Sequence, residues 1–481
     1  MLKVSEKIVK FRKLILVLAF LLLIPSGMGY LNTKVNYDIL YYLPDEIETM
    51  KGQDVLLDDF GKGAYGMFVC NGMNKSEVQN MKEEVEQIDH VAKVICFDSL
   101  TGGRIPKEVL PESVKDIFYG RDGNSTLMFL FFDTTTSQDE TMDAIEELRL
   151  IAGKNCFLSS MSAISTDTKN LVESEMMVYT AIAVALCILV LLVTTDSFLI
   201  PILFMISIGL AVIYNLGSNI IQGEISYITM ALVAILQLGV TMDYSIFLYH
   251  SYKEQQEEYE DSKEAMAHAI AATIVSVTGS SLTTIAGFLA MCFMTFALGL
   301  DMGVVMAKGV VLGVICCVTV LPSLILVFDK WVKKTGHKAI HIKGEKLTKL
   351  ITKIYPVIAI LMVVLSIPAI HGNNNVKVYY KLDESLPEEL PSRQANAVLA
   401  DNFELSSISM VLVDADMSTV DTVAMMDDIQ NIDGVSFALG ADSLKAPLIP
   451  EEMLPGELEA ELTSDNWKLI LVSSEYEVAT D

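Results

Sequence analysis

Asp243 and Tyr244 stand side by side inside an apolar run, ITMALVAILQLGVTMDYSIFLYH. A charge at the middle of a bilayer costs about 2.5–3.5 kcal/mol on insertion scales, so an ionisable group retained there points to function. A proton carrier must be stable both charged and neutral. A carboxyl group meets that need, and a phenol O–H can donate to it or to a bound water. The pair therefore reads as a proton relay. Gly239, one turn away on the Asp243 face, permits close approach of another helix. Ser276, Ser280, Thr284 and Gly287 recur at helical spacing in the next apolar segment, and Ser280 or Thr284 is expected to meet the carboxylate directly or through water. The alternative is that these small hydroxyl residues only tighten helix packing. Asp301 and Lys308 lie two turns apart on one face of the sixth segment and form a possible ion pair near its outer end. Lys308 is on the order of 15 Å from Asp243 in depth, too far for a direct pair, and can also snorkel outward.

Such a relay needs spanning helices to hold it. The chain has 481 residues and a net charge of −27, yet its mean hydropathy is +0.44. Membrane helices joined to acidic, water-exposed domains satisfy both facts. The acidity also argues against a nucleic-acid partner, since phosphate would be repelled. Seven apolar stretches approach the roughly 20 residues a spanning helix requires: Leu14–Leu31, Met176–Val193, Phe198–Leu216, Ile225–Tyr249, Thr278–Ala297, Met302–Val327 and Ile354–Ile370. The first has a basic flank (Lys7, Lys10, Arg12, Lys13) and no small-residue cleavage site after it, so it reads as a retained helix. Lysines from Lys330 to Lys353 crowd the segment between the sixth and seventh stretches, which places that segment and the N-terminus on the cytoplasmic side. The expected divisions are residues 1–31 (N-terminal segment and first helix), 32–175 (first outer domain), 176–332 (five-helix block), 333–353 (basic cytoplasmic linker), 354–371 (seventh helix) and 372–481 (second outer domain). The stretch Glu264–Thr273 reads as an amphipathic turn along the inner membrane surface.

The two outer segments repeat each other at an offset of about 343–344 positions. Val35, Tyr37, Leu43-Pro44, Val55, Asp58 and Phe60 recur as Val378, Tyr380, Leu386-Pro387, Val398, Asp401 and Phe403. Ile88-Asp89 returns as Ile432-Asp433, and Asp98-Ser99-Leu100 as Asp442-Ser443-Leu444. Ile105-Pro106 and Leu110-Pro111 reappear as Ile449-Pro450 and Leu454-Pro455. The first copy reads strand–helix–strand–strand–helix–strand, the βαββαβ order of a ferredoxin-like α+β domain. The second copy stops after its third strand. A duplicated chain is expected to continue to roughly residue 680, so the sequence reads as truncated within the second outer domain.

One helix, an outer α+β domain, five helices and a repeat of the same order resembles the resistance–nodulation–division (RND) superfamily of proton-driven transporters. GVTMDYSIFLYHSYKEQ and MGVVMAKGVVLGVICCVTVLPSLILVFDKW are similar to its MMPL branch. The resemblance implies a multi-pass protein of the cell membrane with ferredoxin-like porter domains outside. It further implies export of a lipid or other hydrophobic or amphiphilic compound, driven by the proton gradient and no bound cofactor. The Asp243-Tyr244 pair would then work with a counterpart in a tenth helix. An alternative within the architecture is a non-pumping sterol-sensing-like or protein-export accessory protein. The sequence offers no enzyme motif: neither HExxH nor GxSxG is present. His337 and His341 read as solvated linker residues, not metal ligands. The seven cysteines lack metal spacing and read as free, buried thiols.

Overall fold

Backbone polar groups in hydrocarbon must be satisfied within their own segment, which makes long apolar runs helical. The computed structural model describes residues 1–101, 115, 117–337, 345–376, 386–403, 405, 407–444 and 461–476. The helices long and apolar enough to cross a membrane are α1 (Arg12–Asn32), α2 (Met161–Thr194), α3 (Ile200–Gly217), α4 (Tyr227–Glu258), α5 (Ser262–Met291), α6 (Leu298–Val327) and α7 (Glu345–Asn375). The chain divides into two compact units, Met1–Asn36 with Val172–Tyr379, and Tyr37–Leu171 with Tyr380–Asp481.

In the helical unit, α6 is the most buried span and packs against α1, α3, α4 and α5. Its glycines and small residues let neighbours come close. A second close crossing joins α1 to α3, where a Cβ on Gly29 would overlap the Gly217 carbonyl and one on Gly217 would overlap Ser26. A short parallel pairing of β1 (Lys34–Asn36) with β6 (Glu224–Ser226) follows at the ends of these elements. Helix α7 continues through Pro356 and Pro368, and no residue of its apolar window is buried.

One expectation is corrected here. Glu264–Thr273 is no separate surface turn but the first part of α5, capped by the Asp261 carboxylate accepting from the Lys263 N–H at 3.1 Å. Ala265, Ala269 and Thr273, with Met266 and Ile270, fall on one face at helical spacing and are buried. They pack in the bundle core, and the N-terminal helix Leu2–Lys10 lies against α5. Burial of that apolar stripe is what continues the helix. Likewise α2 begins at Met161, directly after a strand and well before the expected apolar stretch Met176–Val193.

The second unit contains two antiparallel sheets. Strands β2 (Ala64–Asn71), β3 (Val91–Ile95), β4 (Ser125–Phe132) and β5 (Cys156–Ser159) lie in the order β3-β4-β2-β5. Helices Lys75–Val85 and Asp139–Ala152 connect them in βαββαβ order. The run Ser125–Phe132 is nearly all buried because both sheet faces are covered. Phe68, Met128, Leu130 and Phe132 face one core with Val85, Ile145 and Leu148. Val69, Leu127, Phe129 and Phe131 face another, shared with Leu399, Phe403, Leu469 and Leu471. The second sheet is β7 (Ser407–Asp414), β9 (Trp467–Ser474) and β8 (Val435–Gly440), in the order β7-β9-β8. Polar contacts join the two parts: Tyr65 Oη donates to the Ile408 carbonyl at 3.1 Å, Ser159 Oγ to Asn396 Oδ1 at 2.6 Å, and Lys62 pairs with Glu461 at 2.8 Å.

The sheets share local detail. Each has an irregularity at the same place, between Val91 and Lys93 and between Val435 and Phe437. His90 and Gly434, just before those strands, both have positive φ, 69° and 84°. The Cys96 N–H donates to Ser99 Oγ, as the Gly440 N–H does to Ser443 Oγ. Of the repeat positions, Val378, Tyr380, Ile105-Pro106, Leu110-Pro111, Ile449-Pro450 and Leu454-Pro455 lie outside the described residues, as do His341 and part of the basic linker.

Candidate functional site

Helix α4 has two unlike faces. Thr229, Val233, Gln237, Thr241, Ser245 and Tyr249 follow one another at or near four-residue spacing and are buried. Leu232, Ile235, Leu236, Gly239, Asp243 and Phe247 form the opposite, open face. Adjacent helical residues project about a quarter-turn apart, so Tyr244 enters the bundle core while Asp243 does not. Among the described residues Asp243 has no hydrogen-bond or ion-pair partner. Around Gly239 nothing comes within 4 Å of an added Cβ.

The expected hydroxyl contact to Asp243 is not made as a direct hydrogen bond. Ser280 is exposed, and the Thr284 hydroxyl donates to the Ser280 carbonyl of its own helix at 3.3 Å. The inward stripe of α5 is Ala265, Ala269, Thr273, Val277 and Ser281, one residue out of phase with the expected Ser276–Ser280–Thr284 stripe. The Asp301–Lys308 pair is also not made. Asp301 accepts from the Ser226 N–H at 3.0 Å and from the Thr229 hydroxyl, while Lys308 donates to Asn219 Oδ1. Two turns separate the groups by about 10 Å along the axis, and closer donors hold Asp301 while a closer acceptor holds Lys308.

The buried face of α4 instead forms a polar seam with α6. Thr229 meets Asp301. Gln237 Nε2 donates to the Gly309 carbonyl at 3.2 Å, and a Cβ on Gly313 would overlap Thr241 Oγ1. Helix α3 adds Asn215, whose Nδ2 donates to Gln237 Oε1 at 3.0 Å and to the Val305 carbonyl at 3.1 Å. Asn215 Oδ1, Asn219 Nδ2 and Thr241 Oγ1 are buried without protein partners. In a polar site, such groups are places for ordered water. The seam was readable as Asn215, Asn219 and Gln237 within apolar runs, and as Gly309 and Gly313 at the small-residue spacing of close helix pairs.

At the other end of α4, Asp196 in the α2–α3 connection accepts from the Tyr249 phenol and pairs with Lys253 at 2.8 Å. Burial pulls the Asp196 carboxyl up, but the Lys253 ammonium and the Tyr249 hydroxyl outweigh it and hold it below the usual aspartate value. The same connection is tied to the segment after α6, where Ser197 Oγ donates to the Val332 carbonyl at 3.1 Å and the His337 N–H to the Asp196 carbonyl at 2.8 Å. Among the described residues no cluster of His, Cys, Asp and Glu has the arrangement of a metal site.

A sequence profile described as the MMPL family matches residues 60–364. The chain is 26% identical to the membrane protein ActII-3 of Streptomyces coelicolor, over 46% of this chain and 30% of that protein. It is 20% identical to the membrane protein MJ1562 of Methanocaldococcus jannaschii, over 66% of this chain and 91% of that protein. With the apo-petrobactin exporter of Bacillus anthracis it is 25% identical, over 65% of this chain and 48% of that protein. It thus spans less than half the length of two of these three relatives.

Proposed function

The chain belongs to the MMPL family of RND-type membrane transporters, and from that premise we propose that it handles the protons that drive export of a lipid, hydrophobic or amphiphilic compound. The observation that carries the reading is the two-faced α4. One face is fixed to α6 through Gln237, Thr241 and Gly313, and the other presents an unpartnered Asp243 beside Gly239. A carboxylate left against lipid is costly, so this face receives a further helix in the membrane, one that supplies a hydrogen-bonding group and completes the relay. Tyr244 anchors the relay helix in the core, and Asp243 carries the proton. Ser280 and Thr284 are left to water-mediated contact or to the incoming helix.

The four-stranded sheet order supports a ferredoxin-like porter domain. The matching irregularities, positive-φ residues and serine turns of the two sheets support their duplication. The basic residues around Leu2–Lys10 and Asp329–Lys334 support a cytoplasmic N-terminus and outer porter segments. Protonation of Asp243 removes a charge and allows the α4 face to repack. Each proton returning across 100 mV contributes about 2.3 kcal/mol, enough to bias a two-state element. Helix α2, continuous from β5 into the bundle, is the covalent route by which that repacking reaches the porter domain. The relative's name, an exporter, supports outward transport.

Uptake of a fluorescent amphiphile into inside-out vesicles holding the longest natural form of this protein tests the reading. Uptake that rises with an imposed pH gradient and collapses with a protonophore is expected. Gradient-independent binding alone would favour the non-pumping alternative.

A further inference from the structure

We infer that Cys70 and Cys156 are a disulfide-forming pair, which close a covalent bridge between β2 and β5 on exchange with a small-molecule disulfide. The two residues are direct partners in the antiparallel pairing of these strands. The Asn71 N–H donates to the Asn155 carbonyl at 2.9 Å, at the neighbouring pair. That places Cys70 and Cys156 at a non-hydrogen-bonded position, where Cα atoms approach to about 4.5 Å and side chains lie closest. A disulfide spans Cα separations of about 4.4–6.8 Å. Both side chains enter the same buried layer, with Phe68, Val85 and Leu158, so neither is turned away from the other. Both are free thiols.

The surroundings assign an order to the chemistry. β5 has four residues and is the edge strand of its sheet, so it opens more readily than β2. Cys156 is 7% exposed and Cys70 fully buried, which makes Cys156 the thiol a reagent meets first. The contact between the two thiols raises Cys70, as burial also does, and outweighs burial to lower Cys156 below the usual thiol value. The Cys156 thiolate attacks one sulfur of the oxidant, whose S–S bond breaks and releases one thiolate. Cys70 then gives its proton to that thiolate and attacks the Cys156 sulfur of the mixed disulfide, releasing the second, which takes up the proton Cys156 had lost. The two cysteines lose one electron pair and the oxidant leaves as two thiols.

The bridge fixes the strand from which α2 continues. Cys96 is buried in the same layer but follows β3, which β4 separates from β2, and its sulfur lies 3.4 Å from Ser99 Oγ. It is therefore a control, not a partner.

The purified chain in detergent is exposed to dipyridyl disulfide, the remaining thiols are alkylated under denaturing conditions, and the peptides are mapped by mass spectrometry. A peptide pair joined through Cys70 and Cys156, two hydrogens lighter than its separate parts, is expected. Cys70→Ser and Cys156→Ser each remove the bridge and leave the other cysteine alkylatable, and Cys96→Ser leaves it intact. Separate alkylation of Cys70 and Cys156 in the oxidised wild-type chain, or a bridge that contains Cys96, would overturn the inference.

Discussion

Asp243 and Asn215 are both polar residues within apolar helices, yet their substitutions should behave oppositely. Asn215 is buried and donates to Gln237 and Val305. Asn215→Leu strands those acceptors and should lower stability by about 1–2 kcal/mol, given the modest worth of hydrogen bonds between membrane helices. Thermal unfolding in detergent reads this directly. Asp243 touches no partner among the described residues, so Asp243→Asn should leave unfolding within about 0.5 kcal/mol of wild type. The sequence made Asp243 conspicuous because a charge in an apolar run has no bland explanation in composition. It did not reveal the neighbours. Ser280 and Ser281 are both hydroxyl residues a quarter-turn apart, and only packing decides that Ser281 faces inward. Asp301 and Lys308 shared a face in the sequence, but Thr229 and Asn219, from other helices, were the nearer partners.

The spans themselves were legible because a long apolar run has one solution in hydrocarbon. Their ends were less so: α5 starts at Ser262, where the charged residues conceal an inward stripe of alanines. Glycines separate the two roles of α4. Gly313→Leu drives a side chain into Thr241 and should cost about 1–3 kcal/mol by overpacking. Gly239→Leu meets open space and should leave unfolding unchanged while it abolishes transport, because it blocks the incoming helix. Equal stability losses for the two would mean that α4 has no free face. The Asp196–Tyr249–Lys253 cluster ties the α2–α3 connection to the end of α4. Asp196 is lowered in the folded chain, so its contribution is fully present above the ordinary value of about 3.9. It is lost as pH falls through the lowered folded-state value. Asp196→Asn should therefore reduce stability by less than about 1 kcal/mol at neutral pH, as its partial exposure screens the pair, and flatten the acid limb of the unfolding profile.

Across the molecule, the proposed duplication rests on the repeat in the sequence and on the like irregularities at Val91/Lys93 and Val435/Phe437. The joining of both segments in one compact unit was not readable, because the apolar residues that meet there look like ordinary core positions. The proposed orientation predicts that a membrane-impermeant lysine reagent labels Lys154 in intact cells and labels Lys263 only after permeabilisation. The central claim is that Asp243 carries the transported proton. Proton uptake coupled to amphiphile export, measured in proteoliposomes of the longest natural form under an imposed pH gradient, tests it most directly. Asp243→Asn should abolish both fluxes with the unfolding temperature unchanged, and Asp243→Glu should retain part of each. Wild-type proton and amphiphile fluxes in the Asp243→Asn protein would contradict the account.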